Sequence, residues 1–161
     1  MNPPQEADPP PAHAPWPPIL LAVTLAAGAT LDQLSGGAFK SCVSFPAAVA
    51  LGAAIVALAL ANDIWCAMVL ARHKTTILPH RAASRLATDG PFQWSRNPIY
   101  VSHVAIVFGL GLLLNSPFTI LLTPLLAFAL AKLSIEPEER HLVRKFGDEY
   151  QAYMARTRRW L

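Results

Sequence analysis

The chain has 161 residues, enough for one compact unit and too few for two ordinary domains. Apolar residues make up 53% and charged ones only 14%, against roughly 25% charged in a typical soluble domain, and the apolar residues come in blocks, which excludes an ordinary water-soluble core and points to lipid. The net charge of +3 and the pI near 9.1 would suit nucleic acid, but no nucleic-acid motif accompanies them and no such partner is expected.

In chain order, residues 1–15 carry Pro3, Pro4, Pro9, Pro10, Pro11 and Pro15 and read as a disordered or polyproline-like arm. With no Lys or Arg in the first 18 residues, no secretory signal is expected there. Residues 16–161 read as a single all-α membrane domain. The first candidate span covers about 17–34, with Asp32 and Ser35-Gly36-Gly37 marking its exit. The second covers about 45–71, and its small residues (Ala47, Ala48, Gly52, Ala53, Ala54, Ala57) suit close helix contact in lipid. Cys66 lies in this block as a small buried hydrophobe, and with Cys42 it forms neither a metal pair nor a disulfide framework.

The third span covers 98–114, about 25 Å at 1.5 Å per residue and slightly short for a bilayer core. Asn115-Ser116-Pro117 makes a tight turn into a fourth span over 118–135, so the pair forms a helical hairpin. The loop 72–97 and the tail 136–161 therefore share one face. Except for Lys40, all of the Lys and Arg lie in that loop or at and after the end of the fourth span. A cytoplasmic loop and tail, with both termini inside, satisfies the positive-inside bias. A three-span arrangement, in which the first segment does not insert, is the competitor. In the tail, Glu138, Leu142, Phe146, Tyr150 and Tyr153 recur at three and four, the pattern of an amphipathic surface helix that Gly147 interrupts.

Two polar segments meet across the hairpin. In the first, Thr88 to Tyr100, Pro98 suits the first turn of the third helix, Asn97 its N-cap, and Arg96 stands just outside the helix N-terminus. Such a place binds an anion such as a carboxylate, or is simply a capped helix with a snorkelling Arg. In the second, Glu136, Glu138 and Glu139 repel one another and require cationic compensation, from Arg140, Arg144 and Lys145 or from a cationic ligand.

Gly90-Pro91-Phe92 and Ser95-Arg96-Asn97-Pro98-Ile99-Tyr100, followed after the hairpin by Glu138-Glu139-x-x-Leu142, Phe146-Gly147-x-Glu149-Tyr150 and Tyr153, resemble the isoprenylcysteine carboxyl methyltransferase family. That family belongs to a wider group of membrane methyltransferases that includes phospholipid N-methyltransferases. The segment 75–79 resembles one preceding the Gly-Pro turn in bacterial members. Asn97 stands where the family pattern has His, and Ser102 where it has Gly.

The resemblance implies S-adenosylmethionine bound between the two segments. Gly90, Pro91, Phe92, Arg96, Asn97, Tyr100, Glu138, Glu139 and Leu142 are the expected cofactor-binding residues, with Arg96 and Glu139 also catalytic. Arg96 would face the methionine carboxylate, Glu138 and Glu139 the ribose hydroxyls or amino groups, and Phe92 or Trp94 the adenine or sulfonium. The methyl acceptor would be a lipophilic small molecule or lipid at the cytoplasmic face of a membrane, which the short Ala-rich chain suggests is a bacterial inner membrane. An amine acceptor would pass its proton to His141, Glu139 or Asp63. Asp63 is either functional or paired near the helix end. His103 is a packed, hydrogen-bonded residue or a ligand. His73 and His80 have no companions for a metal site. A nicotinamide-dependent membrane reductase of related architecture and a non-enzymatic membrane scaffold are the alternatives.

Overall fold

The computed structural model describes residues 16–39, 47–73 and 86–161. The proline-rich arm, Lys40, Cys42, the segment 75–79 and His80 lie outside them. The described residues form helices α1 (Trp16–Leu34), α2 (Ala48–Arg72), α3 (Pro98–Leu113), α4 (Pro117–Leu130), α5 (Glu136–Phe146) and α6 (Asp148–Arg156), with a 3-10 turn at Gly90–Gln93 before α3. Among the described residues, three helical stretches are long and apolar enough to cross a membrane: α1, α2, and the continuous run from α4 through α5. The fourth apolar helix, α3, has 16 residues, one fewer than the sequence suggests. The protein is an all-α membrane protein.

The α3–α4 hairpin forms the middle of the bundle, with α2 packed on α3 and α1 on α4. Asn115 takes the left-handed conformation at the hairpin turn (φ 50°), and Ser116 caps α4 by accepting from the Thr119 amide at 3.3 Å. Side-chain burial suits lipid. Leu58, Ile64, Leu121, Leu125 and Phe128 are exposed, whereas Leu20, Leu21 and Leu25 of α1 pack on a buried cluster of Tyr100, Val107, Leu126, Leu130 and Ile135.

Without a hydrophobic drive between helices in lipid, close van der Waals approach and interhelical hydrogen bonds hold such a bundle together. The α2–α3 contact uses both. A Cβ on Gly52 would lie 2.6 Å from the Gly109 carbonyl oxygen, so the two backbones touch where neither residue has a side chain. Further along, the Asn62 amide donates to the Pro98 carbonyl at 3.1 Å and to Ser102 Oγ at 2.9 Å. Between α1 and α4, Asp32 lies in the last turn of α1, just before the Ser35-Gly36-Gly37 exit that the sequence suggests, and its buried carboxylate accepts from Ser116 Oγ.

The fourth span departs from the sequence reading in a way that shapes the site. The helix does not end at Ile135 but continues through a π-helical turn, Ala131–Ile135, into α5. Pro137 lies in the first turn of α5 and has no N–H for the preceding turn, and the wider turn absorbs the missing bond. The carboxylates of α5 thus descend from a membrane helix on a rigid support. The tail is two helices, not one, broken at Gly147 with φ 50°.

Candidate functional site

Both ends of the hairpin, the N-terminus of α3 and the start of α5, lie at the same end of the bundle. Arg96, just before α3, places Nη2 3.1 Å from Glu139 Oε1, and its Nη1 donates to the Met154 carbonyl of α6 at 3.2 Å. Neither side chain reaches far into solvent, with 12% of Arg96 and 8% of Glu139 exposed. One turn into α3, the Tyr100 hydroxyl donates to Glu138 Oε2 at 3.0 Å. The structure therefore brings Arg96, Asn97, Tyr100, Glu138 and Glu139 into one cluster. Leu142 is half-buried on α5, one turn beyond Glu138.

The compensating cations differ from the near neighbours in sequence. Lys132 bonds Glu136 at 2.7 Å, and Arg159, beyond α6, bonds Glu139 Oε2 at 2.7 Å while lying 3.8 Å from Glu136. Arg140, Arg144 and Lys145 are exposed on α5. The hydrogen bond to Glu139 raises the Arg159 guanidinium above its ordinary range. Lys132–Glu136 is an exposed pair four residues apart, whereas Arg159–Glu139 crosses elements to a buried carboxylate, where charges are weakly screened.

The turn before α3 divides its residues between two neighbours. Gly90 takes φ 57°, with Trp65 and Val69 of α2 so near that a Cβ would lie 2.9 Å from Val69 Cγ2. Phe92 is buried with Cys66, Val69, Leu70 and Ala87, so its ring packs on α2. Trp94 is 62% exposed and meets Trp65 edge-on. His73 at the end of α2 holds Asp89 at 2.6 Å. Asn97 occupies the N-cap position of α3 but makes no side-chain cap, because its amide donates to the Arg159 carbonyl at 3.0 Å.

Four residues that sequence reasoning did not assign to the site build its outer wall. Tyr153 donates to the Phe92 carbonyl at 2.6 Å, tying α6 to the turn, and Tyr150 is buried beside it with ring centroids 5.9 Å apart. Burial pushes both hydroxyls above the ordinary phenol range, so Tyr153 remains a donor. Ser95 is 1% exposed; its Oγ accepts from the Asn97 amide at 3.1 Å and donates to the Arg159 carbonyl at 3.3 Å. Arg159 itself completes the acidic cluster. The two tyrosines were visible in the amphipathic pattern of the tail and Ser95 stood within the motif before α3 without a role, whereas nothing local marks Arg159.

A cavity of about 280 Å³ opens beside this cluster between α2 and α3. Its walls are mostly apolar, including Leu58, Val101 and Leu161, with Asn62, Ser95 and Ser102 as polar points. Near Ser102, Asp63 interacts electrostatically with His103. Asp63 Oδ1 and His103 Nδ1 are both buried without a hydrogen-bond partner. Among the described residues, no group of three or more His, Cys, Asp or Glu side chains is placed to hold a metal ion.

The nickel-cobalt-cadmium resistance protein NccN of Alcaligenes xylosoxydans xylosoxydans is 31% identical over 102 residues, covering 63% of this chain and 44% of that protein. The cobalt-zinc-cadmium resistance protein CzcN of Cupriavidus metallidurans is 31% identical over 115 residues, covering 70% of this chain and 48% of that protein. The chain thus spans a little under half the length of these curated relatives. The sequence pattern of the phospholipid methyltransferase family matches residues 47–149, which hold α2, the turn before α3, the hairpin and the carboxylates of α5. The chain belongs to the phospholipid methyltransferase family.

Proposed function

We propose that the protein transfers a methyl group from S-adenosylmethionine to a lipophilic acceptor at the cytoplasmic face of a membrane. The observation that carries this reading is the pairing of Arg96 and Glu139 at the N-terminus of α3, inside the stretch matched by the family. The unsatisfied atoms there suit the group. Arg96 Nε is buried without a hydrogen-bond partner, and Glu139 Oε1, though 3.1 Å from Arg96 Nη2, makes no hydrogen bond, so a donor and an acceptor there have capacity to spare. The methionine end of S-adenosylmethionine presents a carboxylate and an ammonium, the complementary pair.

In this reading Arg96 and the positive end of α3 hold the carboxylate, and Glu139 accepts from the ammonium. Glu138, fixed by Tyr100, is left to accept from a ribose hydroxyl, with Gly90, Pro91, Asn97 and Leu142 shaping the surroundings. When bound, S-adenosylmethionine supplies a methyl group on a cationic sulfur, open to in-line displacement. The chain contributes positioning and the exclusion of water by Tyr150 and Tyr153. The apolar cavity between α2 and α3 suits the hydrocarbon part of the acceptor, which reaches it from the bilayer. An amine acceptor would release a proton, for which Glu139, His141 and Asp63 are the nearby bases.

The bias of Lys and Arg toward the loop before α3 and the tail supports a cytoplasmic loop and tail, with both termini inside. Residues 16–161 act as one domain in this reading. The names of the two relatives concern metal resistance, and no metal ion enters the proposal.

Transfer is tested with membranes holding the protein and S-adenosylmethionine tritiated on its methyl group. Label is expected to enter the organic extract, and Arg96→Ala is expected to lower that rate by at least about 100-fold through loss of an electrostatic positioning contact. Label that stays in the aqueous phase with the folded wild type would contradict a lipophilic acceptor.

A further inference from the structure

The segment 157–161 continues from α6 and lies directly over the site. The Arg96 amide donates to the Arg158 carbonyl at 2.8 Å, and Ser95 and Arg158 form an isolated parallel bridge. The Arg159 carbonyl accepts from both Ser95 Oγ and Asn97 Nδ2. Four of its five side chains then go to different places. Thr157 is buried, Arg159 reaches Glu139, Trp160 packs against the cluster around Tyr100 and Leu130, and Leu161 walls the apolar cavity.

Short irregular segments of polar sequence have little of their own to hold them in place. This one is held by bonds to the three residues before α3, by the packing of Trp160, and by Arg159, which pairs with Glu139 at 2.7 Å and lies 3.8 Å from Glu136. That ion pair puts a cation on the carboxylate to which the proposed function assigns the cofactor's ammonium. The Arg159 side chain is 39% exposed, so solvent reaches it and its release costs little burial.

We propose that the segment 157–161 is a strap latched by Arg159, whose guanidinium takes the place of the cofactor's ammonium on Glu139 and yields it when the cofactor binds. This rests on the reading of the site given above. Arg159 is a gating residue here, not a catalytic one. With the latch closed, only a fraction of molecules is competent to bind, and apparent affinity falls by that fraction. Release of Arg159 leaves Glu139 still neighboured by Arg96, so the carboxylate is not stranded.

The test is calorimetric titration of S-adenosylhomocysteine into the detergent-purified full chain, comparing wild type, Arg159→Gln and Arg159→Lys. Arg159→Gln is expected to bind roughly ten-fold more tightly than wild type, and Arg159→Lys to return toward wild-type affinity. A second readout is trypsin cleavage after Arg158 and Arg159, followed by mass spectrometry. S-adenosylhomocysteine is expected to speed cleavage there several-fold, although bound ligands ordinarily slow proteolysis.

Unchanged or weaker affinity in Arg159→Gln, or cleavage at Arg158 and Arg159 that is unchanged or slowed by the ligand, would overturn the strap. If wild type does not bind while Arg159→Gln does, the latch is supported in its strongest form. If folded wild type and Arg159→Gln both fail to bind, the cofactor reading itself is wrong and the strap goes with it.

Discussion

Glu139→Ala is expected to destabilise the folded protein by about 3–5 kcal/mol, the range for removing one partner from a buried charge pair. The loss is large because Glu139 is shared. One oxygen lies 3.1 Å from Arg96 and the other 2.7 Å from Arg159. Arg96 would be left 12% exposed with its Nε already unpartnered, and only the Met154 carbonyl to bond. Arg159, at 39% exposed, would recover much of its hydration, so most of the cost falls on Arg96. Glu139→Gln keeps the shape and one hydrogen-bonding oxygen, and is expected to cost about 1–3 kcal/mol. Thermal melting in detergent distinguishes the two. Equal melting of Glu139→Ala and wild type would show that the cluster is not a structural unit.

The second large effect lies in the membrane. Gly52→Leu is expected to separate α2 from α3 and leave little protein that stays dispersed in detergent. A Cβ at residue 52 already meets the Gly109 carbonyl at 2.6 Å, and Leu112 Cβ and the Leu113 amide nitrogen at 3.0 Å. Two of those three are backbone atoms, which cannot swing away as a side chain would. Overpacking costs about 1–3 kcal/mol where side chains can adjust, and more where backbone must move. The consequence reaches the site, because separation would also pull Asn62 from Pro98 and Ser102 and disturb the start of α3. Ala53→Leu is the control: Ala53 faces outward from the same helix, and its replacement is expected to be neutral within about 0.5 kcal/mol. Size-exclusion profiles and yields of the two variants test the contrast.

Much of the architecture was readable because lipid imposes a simple rule, that backbone groups be satisfied within helices and apolar faces turn outward. The blocks around α1, α2 and α4 stand out on apolarity alone, and Asn115-Ser116-Pro117 announced the hairpin turn. What failed was local. Glu136-Pro137 looked like the end of a span, yet a π-helical turn carries the helix past it, since one missing N–H can be absorbed without ending a helix. Asp32 does mark the end of α1, but its partner was not legible: Ser116 offers it a hydroxyl inside the bundle.

The site was legible through two motifs whose proximity depended on the hairpin. Arg96, Asn97, Tyr100, Glu138 and Glu139 do meet. Phe92 and Trp94 face α2, because the tight turn at Gly90 directs them there. Arg159 was invisible as a partner of Glu139. Its 20-residue separation has no helical periodicity, and only the path of the chain after α6 brings it back.

The most direct measurement of the central claim is calorimetric titration of S-adenosylhomocysteine into the detergent-purified protein, beside Arg96→Ala and Glu139→Gln. Saturable one-site binding by the parent protein, lost in both variants while they remain folded, is the predicted result. Binding that persists in both variants would place the cofactor elsewhere, and absence of binding in the folded wild type and in Arg159→Gln alike would contradict an S-adenosylmethionine site altogether.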